Sequence, residues 1–453
     1  MSGQPLRVAV VGSGPAGFYA ADALLKSEDP PVLVDVLDRL PTPWGLVRLG
    51  VAPDHENIKA VSRAFEKTSA RPGFRFFGNV DVGSAVTHAE LLERYDAVLY
   101  TVGAQTDRRL GIPGEDLPGS WPATAFVAWY NGHPDFQDVE FDLSHERAVV
   151  VGNGNVAIDC ARMLALTAEE LAPTDTVDAA ERAIIDSGLR EIVMLGRRGP
   201  VQAAFTPPEL QELGELAGAD VIVDPRDLEL DAASAEALEQ DRERARRNVD
   251  LLRDFAARAP KGLPRRIVLR FLVSPVAILG EDRVEAIEIV RNELVAQSGR
   301  LVARPTGERE TLACGLVLRS VGYQGVELPG VPFDVAAAVF PNEAGRIVGA
   351  DRTYCAGWIK RGPSGVIGTN KKDAVETVDA LLADARAGRL ERSAGGELED
   401  LLRERDVHFI EYDGWKAIDA AERSAGEPHG RPRVKLTAWG DLLDTGRRIQ
   451  SPS

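Results

Sequence analysis

LRVAVVGSGPAGFYAADALLK, residues 6–26, runs from β-branched residues (Val8, Val10, Val11) through Gly12, Gly14 and Gly17 into an alanine-rich stretch. That order predicts strand, tight turn, helix. Each glycine has its own reason. Gly12 permits the turn, Gly14 lets backbone come close to a pyrophosphate, and Gly17 lets helix pack on strand. The helix N-terminus then offers unpaired N–H groups and the positive end of its dipole to phosphates. The next apolar run, PVLVDVLDRL (residues 31–40), carries Asp38 near its end. Roughly 20 residues beyond the last glycine, a carboxylate there accepts hydrogen bonds from the ribose hydroxyls of an adenosine.

The pattern recurs in RAVVVGNGNVAIDCARMLA, residues 147–165, with Gly152, Gly154 and, in place of a third glycine, Ala157, a variant the fingerprint accepts. The strand that follows, in DSGLREIVMLGRRGP (186–200), ends in Arg197 and Arg198 where the first copy has its acid. An acid there repels a 2′-phosphate, whereas paired guanidiniums bind one. The interval to Arg197 is about twice the usual ~20 residues, and the excess, TAEELAPTDTVDAAERAIIDSG, reads as an elongated helical insert. Two nucleotide units, one closed by an acid and one by arginines, predict a permanently held flavin nucleotide and an exchangeable NADP. The reaction class is then hydride transfer.

Length and composition agree with this. A chain of 453 residues exceeds one ordinary core, and 44% hydrophobic with 27% charged residues is globular composition. The net charge of −17 argues against nucleic acid or an anionic membrane as the main partner. Cys160, Cys314 and Cys355 are far apart, without CxxC or metal-ligand spacing, so neither disulfide framework nor metal site is indicated and a reducing cytoplasmic location is expected. The opening MSGQPLRVAVV enters a strand at once, and no apolar run reaches membrane-spanning length.

The return of a short strand at RTYCAGWIK (352–360), after a long middle region, suggests one domain built from both ends of the chain with another inserted. The expected class is α/β with two Rossmann-like dinucleotide-binding domains. The FAD domain is placed at 1–105 plus 331–453 and the NADP domain, inserted in it, at 106–330. LPRRIVLRFLVSPVAILG and RVEAIEIVRNELV have the alternation of hairpin strands. Before them, LEQDRERARRNVDLLRDFAARAPKG reads as one charged helix bearing Arg242, Arg244, Arg246, Arg247 and Arg253. The long amphipathic helix near Gly368, if aimed at a flavin ring, favours the negative charge that gathers there on reduction. Residues 390–453 carry no readable role.

Several stretches together, PTPWGLVRLGVAPDH, GNGNVAID, GRRGPVQAAFTPPEL, RSVGYQG, GWIKRGPSGVIGTNKKDA and GEPHGRPRVKL, occur in this order from residue 41 to 436. In them the chain resembles the adrenodoxin-reductase-like NADPH–ferredoxin reductases, FAD flavoproteins also found in actinobacteria. The resemblance implies a monomeric reductase that passes electrons from NADPH through FAD to a ferredoxin-type iron–sulfur protein. It implies FAD contacts at Ala16, Asp38, Leu46, Val82, Trp358, Gly365, Val366 and Ile367. It implies NADP contacts at Arg108, Asn153, Gly154, Asn155, Val156, Arg197, Arg198 and Glu209, with Gly365 shared. A His–Asp pair proposed as a proton or water relay falls on His55 and Asp159. Taken alone, His55 reads equally as a surface or capping histidine, and Asp159 as an early-helix acid favoured by the dipole.

An acidic ferredoxin needs local basic charge to dock, and the arginine-rich helix with Arg265, Arg266 and Arg270 is the candidate surface; a merely solvated helix is the other reading. A flavin/NADP subunit of a larger synthase-type complex is the alternative to a free reductase, though the cysteine-rich N-terminal segment usual in such subunits is absent. A disulfide reductase needs a CxxC pair that the chain lacks. A non-catalytic redox sensor is separable only by turnover.

Overall fold

The computed structural model describes residues 4–240, 243–297, 300–365 and 367–447. These divide into two compact units, with breaks between Thr106 and Asp107 and between Val321 and Gly322. One unit is made from both ends of the chain and the other from the middle.

In the unit made from both ends, a seven-stranded sheet has the spatial order Asn342–Glu343, Arg346–Ile347, Thr353–Cys355, Ala97–Tyr100, Leu6–Val11, Val32–Leu37, Phe74–Phe77. The five strands from Thr353–Cys355 to Phe74–Phe77 are parallel neighbours. Their sequences are near-continuous apolar runs because both faces are covered. Val8 and Val10 pack under helices Pro15–Leu25 and Ile367–Arg386, while Ala9 and Val11 face a second core with Phe77, Tyr100 and Phe340. From Leu6–Val11 the chain proceeds outward to Val32–Leu37 and Phe74–Phe77, then returns to the other side at Ala97–Tyr100. That reversal opens a crevice at the carboxyl ends of the two central strands, where ligands of such sheets bind.

The middle unit repeats the plan. Its six-stranded sheet runs Ser120–Pro122, Leu316–Arg319, Arg147–Val151, Glu191–Gly196, Arg265–Phe271, Ala219–Val223, with parallel registers throughout. The reversal falls between Leu316–Arg319 and Arg147–Val151. A three-stranded antiparallel sheet, Val273–Leu279, Ala286–Gln297 and Arg300–Ala313, is appended.

Four expectations are revised. The second break comes at 321/322 rather than after 330, because Leu316–Arg319 is the last strand of the middle sheet and Gly322, at φ +107°, turns the chain away. The stretch 263–280 is not one hairpin arm: Arg265–Phe271 joins the parallel sheet, Leu272 adopts φ +55°, and Val273–Leu279 starts the antiparallel one. The insert after the second fingerprint is two short helices, Ala168–Leu171 and Asp178–Ile185, the first opened by a Thr167–Glu170 capping box. The single charged helix is two, Ala232–Gln240 and Arg244–Ala257, and Arg242 lies outside the described residues. Ala245, Val249, Leu252 and Phe255 bury one face of the second helix, leaving Arg244, Arg246, Arg247 and Arg253 exposed.

The last segment, unreadable in sequence, forms helices Leu398–Glu404, Tyr412–Gly426 and Trp439–Arg447. They belong to the unit made from both ends, where Trp415, Ile418 and Leu442 share a core with Phe18, Trp44 and Phe65.

Candidate functional site

At the first crevice, Gly12 holds φ +104°, and a Cβ there would lie 2.7 Å from the Thr101 carbonyl oxygen. A Cβ on Gly17 would lie 2.0 Å from the Gly12 oxygen. Both glycines are therefore required by the protein itself. Gly14 differs: it has ordinary extended geometry (φ −75°), and a Cβ there meets no protein atom within 4 Å. It is also the N-cap of helix Pro15–Leu25, which no side chain caps. The first-turn N–H groups of that helix are thus presented at a surface where backbone is accessible, the arrangement a pyrophosphate needs.

Asp38 ends the neighbouring strand but has a task beyond the expected one. One carboxylate oxygen accepts from the Ser13 N–H at 2.8 Å and the Ser13 hydroxyl at 2.5 Å; the other accepts from the Leu40 N–H at 2.9 Å. Burial pushes its pKa up, and these bonds oppose that rise. Three of its roughly four acceptor positions are used, leaving room for about one ribose hydroxyl. Its first role is to lock the fingerprint turn through Ser13, a residue the glycine pattern treats as filler.

Some of the other expected flavin residues connect to the same turn. Trp44 donates its backbone N–H to Ser13 O at 2.9 Å, and Gly45, whose Cβ would lie 3.0 Å from Gly14 Cα, brings Leu46 beside it. Val82 follows Val80, whose N–H donates to Asp38 O at 2.8 Å. Gly357, at φ +79°, approaches so closely that its Cβ would lie 2.8 Å from the Ala16 methyl, placing Trp358 near the first helix. The Trp358 indole N–H is buried and has no partner among the described residues, while its ring packs on Tyr323 at 5.3 Å. Gly365 holds φ +81° just before Ile367, the first residue of helix Ile367–Arg386. Val366 lies outside the described residues.

In the middle unit the same logic recurs. Gly152 holds φ +141°, and its Cβ would lie 2.1 Å from Ser320 O, whereas a Cβ on Gly154 meets nothing within 4 Å. Gly154 is the uncapped N-cap of helix Asn155–Met163; Ala157 is fully buried on it and Val156 half-buried. Asn155 Oδ1 accepts from the Thr206 N–H at 2.8 Å, fixing the loop that leads to Glu209 in the first turn of Pro207–Leu213. The Asn153 amide nitrogen is buried without a partner among the described residues, and a Cβ on Gly196 would lie 2.8 Å from it.

Arg197 and Arg198 follow Gly196. Their carbonyls are tied down by the Asn292 amide (2.9 Å) and the Leu272 N–H (3.1 Å), but among the described residues neither guanidinium is paired with a carboxylate. Desolvation and the adjacent Arg197 charge both lower the Arg198 pKa. Two neighbouring guanidiniums without a carboxylate partner among the described residues carry the charge that a phosphate would require. Arg108 is exposed at the start of the middle unit.

His55 and Asp159 stand in different units. His55 is half-buried at the N-cap of Glu56–Lys59, but its side chain does not cap that helix. Asp159 accepts from Arg162 Nη2 at 2.7 Å, so one of its oxygens is committed to an ion pair. Of the cations expected to form a docking patch, Arg265 is spent on the carbonyls of Leu164, Leu166 and Ile184. Arg266 pairs with Glu191 and Arg270 with Glu310. The exposed arginines of helix Arg244–Ala257 remain, two of them in longer ion pairs, Arg246 with Glu239 at 3.9 Å and Arg253 with Asp250 at 3.8 Å.

The sequence profile of the pyridine nucleotide-disulphide oxidoreductase family matches residues 6–195. The chain is 53% identical to the "NADPH-ferredoxin reductase FprA" of Mycobacterium tuberculosis, over 98% of this chain and 99% of that protein. It is 40% identical to "NADPH:adrenodoxin oxidoreductase, mitochondrial" of Arabidopsis thaliana, over 98% and 95% of the two chains. The solved structure of the Mycobacterium tuberculosis protein "in complex with NADPH" superposes with a TM-score of 0.94 at 53% identity, covering 98% of this chain and 100% of that one.

Proposed function

The chain belongs to the NADPH–ferredoxin reductase family, and from that premise we propose how its own residues divide the work. It is an NADPH-dependent FAD flavoprotein whose electrons go to a ferredoxin-type protein. When bound, FAD accepts a hydride from NADPH and releases electrons singly, a conversion nicotinamide cannot make alone. The open backbone at Gly14 and the unpartnered buried Trp358 N–H fit that group.

In the proposed assignment, the N–H groups after Gly14 take the FAD pyrophosphate, Ser13-locked Asp38 takes a ribose hydroxyl, and Leu46, Val82, Trp358, Gly365, Val366 and Ile367 enclose the ring. The N-terminus of Ile367–Arg386 supports negative charge on the reduced ring. Gly154 and the residues beside it, Asn153, Asn155 and Val156, take the pyrophosphate of NADPH. Arg197 and Arg198 grip its 2′-phosphate, with Arg108 and Glu209 as further contacts. His55 and Asp159 act as a proton or water relay, Asp159 being held in one orientation by Arg162. The exposed arginines of Arg244–Ala257 receive the acidic iron–sulfur partner.

We further propose a cytoplasmic monomer that does not engage nucleic acid, in keeping with the net charge of −17 and three buried thiols. Among the described residues no helix is long and apolar enough to cross a membrane.

The observation that carries the assignment is the contrast between two matched crevices, one closed by an acid and the other by arginines without carboxylate partners among the described residues. Anaerobic NADPH should bleach the oxidised-flavin absorption of the holoprotein, and NADH should do so far less efficiently. Absence of bleaching by NADPH would sink the reading.

A further inference from the structure

Glu422 lies on helix Tyr412–Gly426, in the segment to which sequence assigned no role, and is fully buried. Its partner is Arg48, also buried, which donates through both terminal nitrogens at 2.5 and 2.8 Å. The Leu436 N–H at 2.9 Å and Arg433 at 3.2 Å complete the carboxylate. All about four of its acceptor positions are thereby filled.

Arg48 sits in the short helix Leu46–Leu49, which Trp44 and Gly45 lead into. Its guanidinium lies 5.1 Å from the Trp415 ring centre, and Trp415 meets Trp44 edge-on at 4.9 Å. Trp44 holds φ +84°, a conformation that non-glycine residues keep only when their surroundings over-determine it. Its N–H is bonded to Ser13 O, and Gly45 rests on Gly14. An unbroken chain of contacts thus runs from Glu422 through Arg48, Trp415 and Trp44 to the first glycine turn.

We propose that Glu422 is a positioning residue for the flavin: through Arg48 it clamps the Trp44–Leu46 loop against Ser13–Gly14 and so sets how tightly FAD is retained. This rests on the reading that the first crevice holds FAD. Removing the carboxylate leaves a buried cation uncompensated, and the least costly relief is for the loop to move off the turn.

The test compares FAD release from dilute holoprotein, followed by the rise of free-flavin fluorescence, with the melting temperature of the apoprotein. Glu422→Gln, isosteric and expected to fold, should release FAD ~10-fold faster, a factor equivalent to about 1.4 kcal/mol. Arg48→Met/Glu422→Met replaces the ion pair with apolar volume, which restores stability in other proteins. It should recover the apoprotein melting temperature and still release FAD quickly. The Michaelis constant for NADPH should stay unchanged in both.

A wild-type release rate in Glu422→Gln, or a double variant whose FAD retention recovers together with its melting temperature, would overturn the positioning role. Wild-type protein that binds no FAD would instead refute the cofactor assignment on which the inference rests.

Discussion

Replacing Arg197 and Arg198 by alanine probes the contrast between the two crevices directly. Neither guanidinium has a carboxylate partner among the described residues, and burial together with the Arg197 charge lowers the Arg198 pKa. The substitution therefore breaks no ion pair and removes a like-charge repulsion, so the melting temperature should hold or rise slightly. The loss falls on the ligand. A charge-assisted hydrogen bond contributes about 1.5–3 kcal/mol. Arg198, half-buried, should sit near the middle of that range, and Arg197, exposed, near or below its lower end. Converted at 1.4 kcal/mol per decade, Arg198→Ala should raise the Michaelis constant for NADPH ~30-fold and Arg197→Ala ~10-fold. The turnover number should change little, since the 2′-phosphate is bound equally before and during hydride transfer. Steady-state kinetics with NADPH and NADH at several salt concentrations provides the assay. The NADH constant should barely move, and the salt dependence for NADPH should flatten in the double variant. Equal effects on both nucleotides would refute the phosphate-clamp reasoning.

Gly14→Ala and Gly154→Ala should leave the apoprotein melting temperature near wild type, because neither Cβ meets protein atoms within 4 Å; calorimetry and titration should show weaker FAD binding in the first and weaker NADPH binding in the second. Gly17→Ala, whose Cβ would lie 2.0 Å from a carbonyl oxygen, should instead lower the melting temperature, at a cost of about 1–3 kcal/mol or more. Burial lifts the Asp107 pKa from 3.8 to about 6, against the pull of its Thr124 hydrogen bond and Arg319. Its folded pKa is thus above the unfolded one, so this group's contribution to stability is full below pH 3.8 and declines as pH rises through about 6. The span is at most about 3 kcal/mol, and Asp107→Asn should remove that slope in melts between pH 4 and 7. The buried thiols Cys160, Cys314 and Cys355, with Cys314 and Cys355 pushed up to about 12, should resist a thiol reagent in the native protein and react fully in denaturant.

The glycine turns were legible because their spacing reports purely local demands. Gly12 and Gly152 need positive φ, and the strands beside them are apolar along their whole length because both faces are covered. What followed the turns was less legible. The stretch 263–280 alternates as a strand throughout, and nothing local says that Leu272 divides it between two sheets. Arg265 reads as a surface cation, yet it caps three carbonyls at the ends of helices that approach it only in the folded unit. Asp38 was found for its place near the end of a strand, but its bonds to Ser13 depend on how that strand end meets the turn.

Sequence alone determined that this chain builds two strand–turn–helix nucleotide crevices, one ending in an acid and the other in arginines, since turn geometry and terminal charge are set within about 20–40 contiguous residues. Only the tertiary structure decided which groups are free to act and which are consumed. Among the described residues it left Arg197 and Arg198 without carboxylate partners, and it committed Arg265, Arg266 and one oxygen of Asp159 to internal contacts. It also joined Arg48 to Glu422 across 374 positions of chain. Such pairings arise from which surfaces the packed core brings together, and no local pattern of residues encodes them.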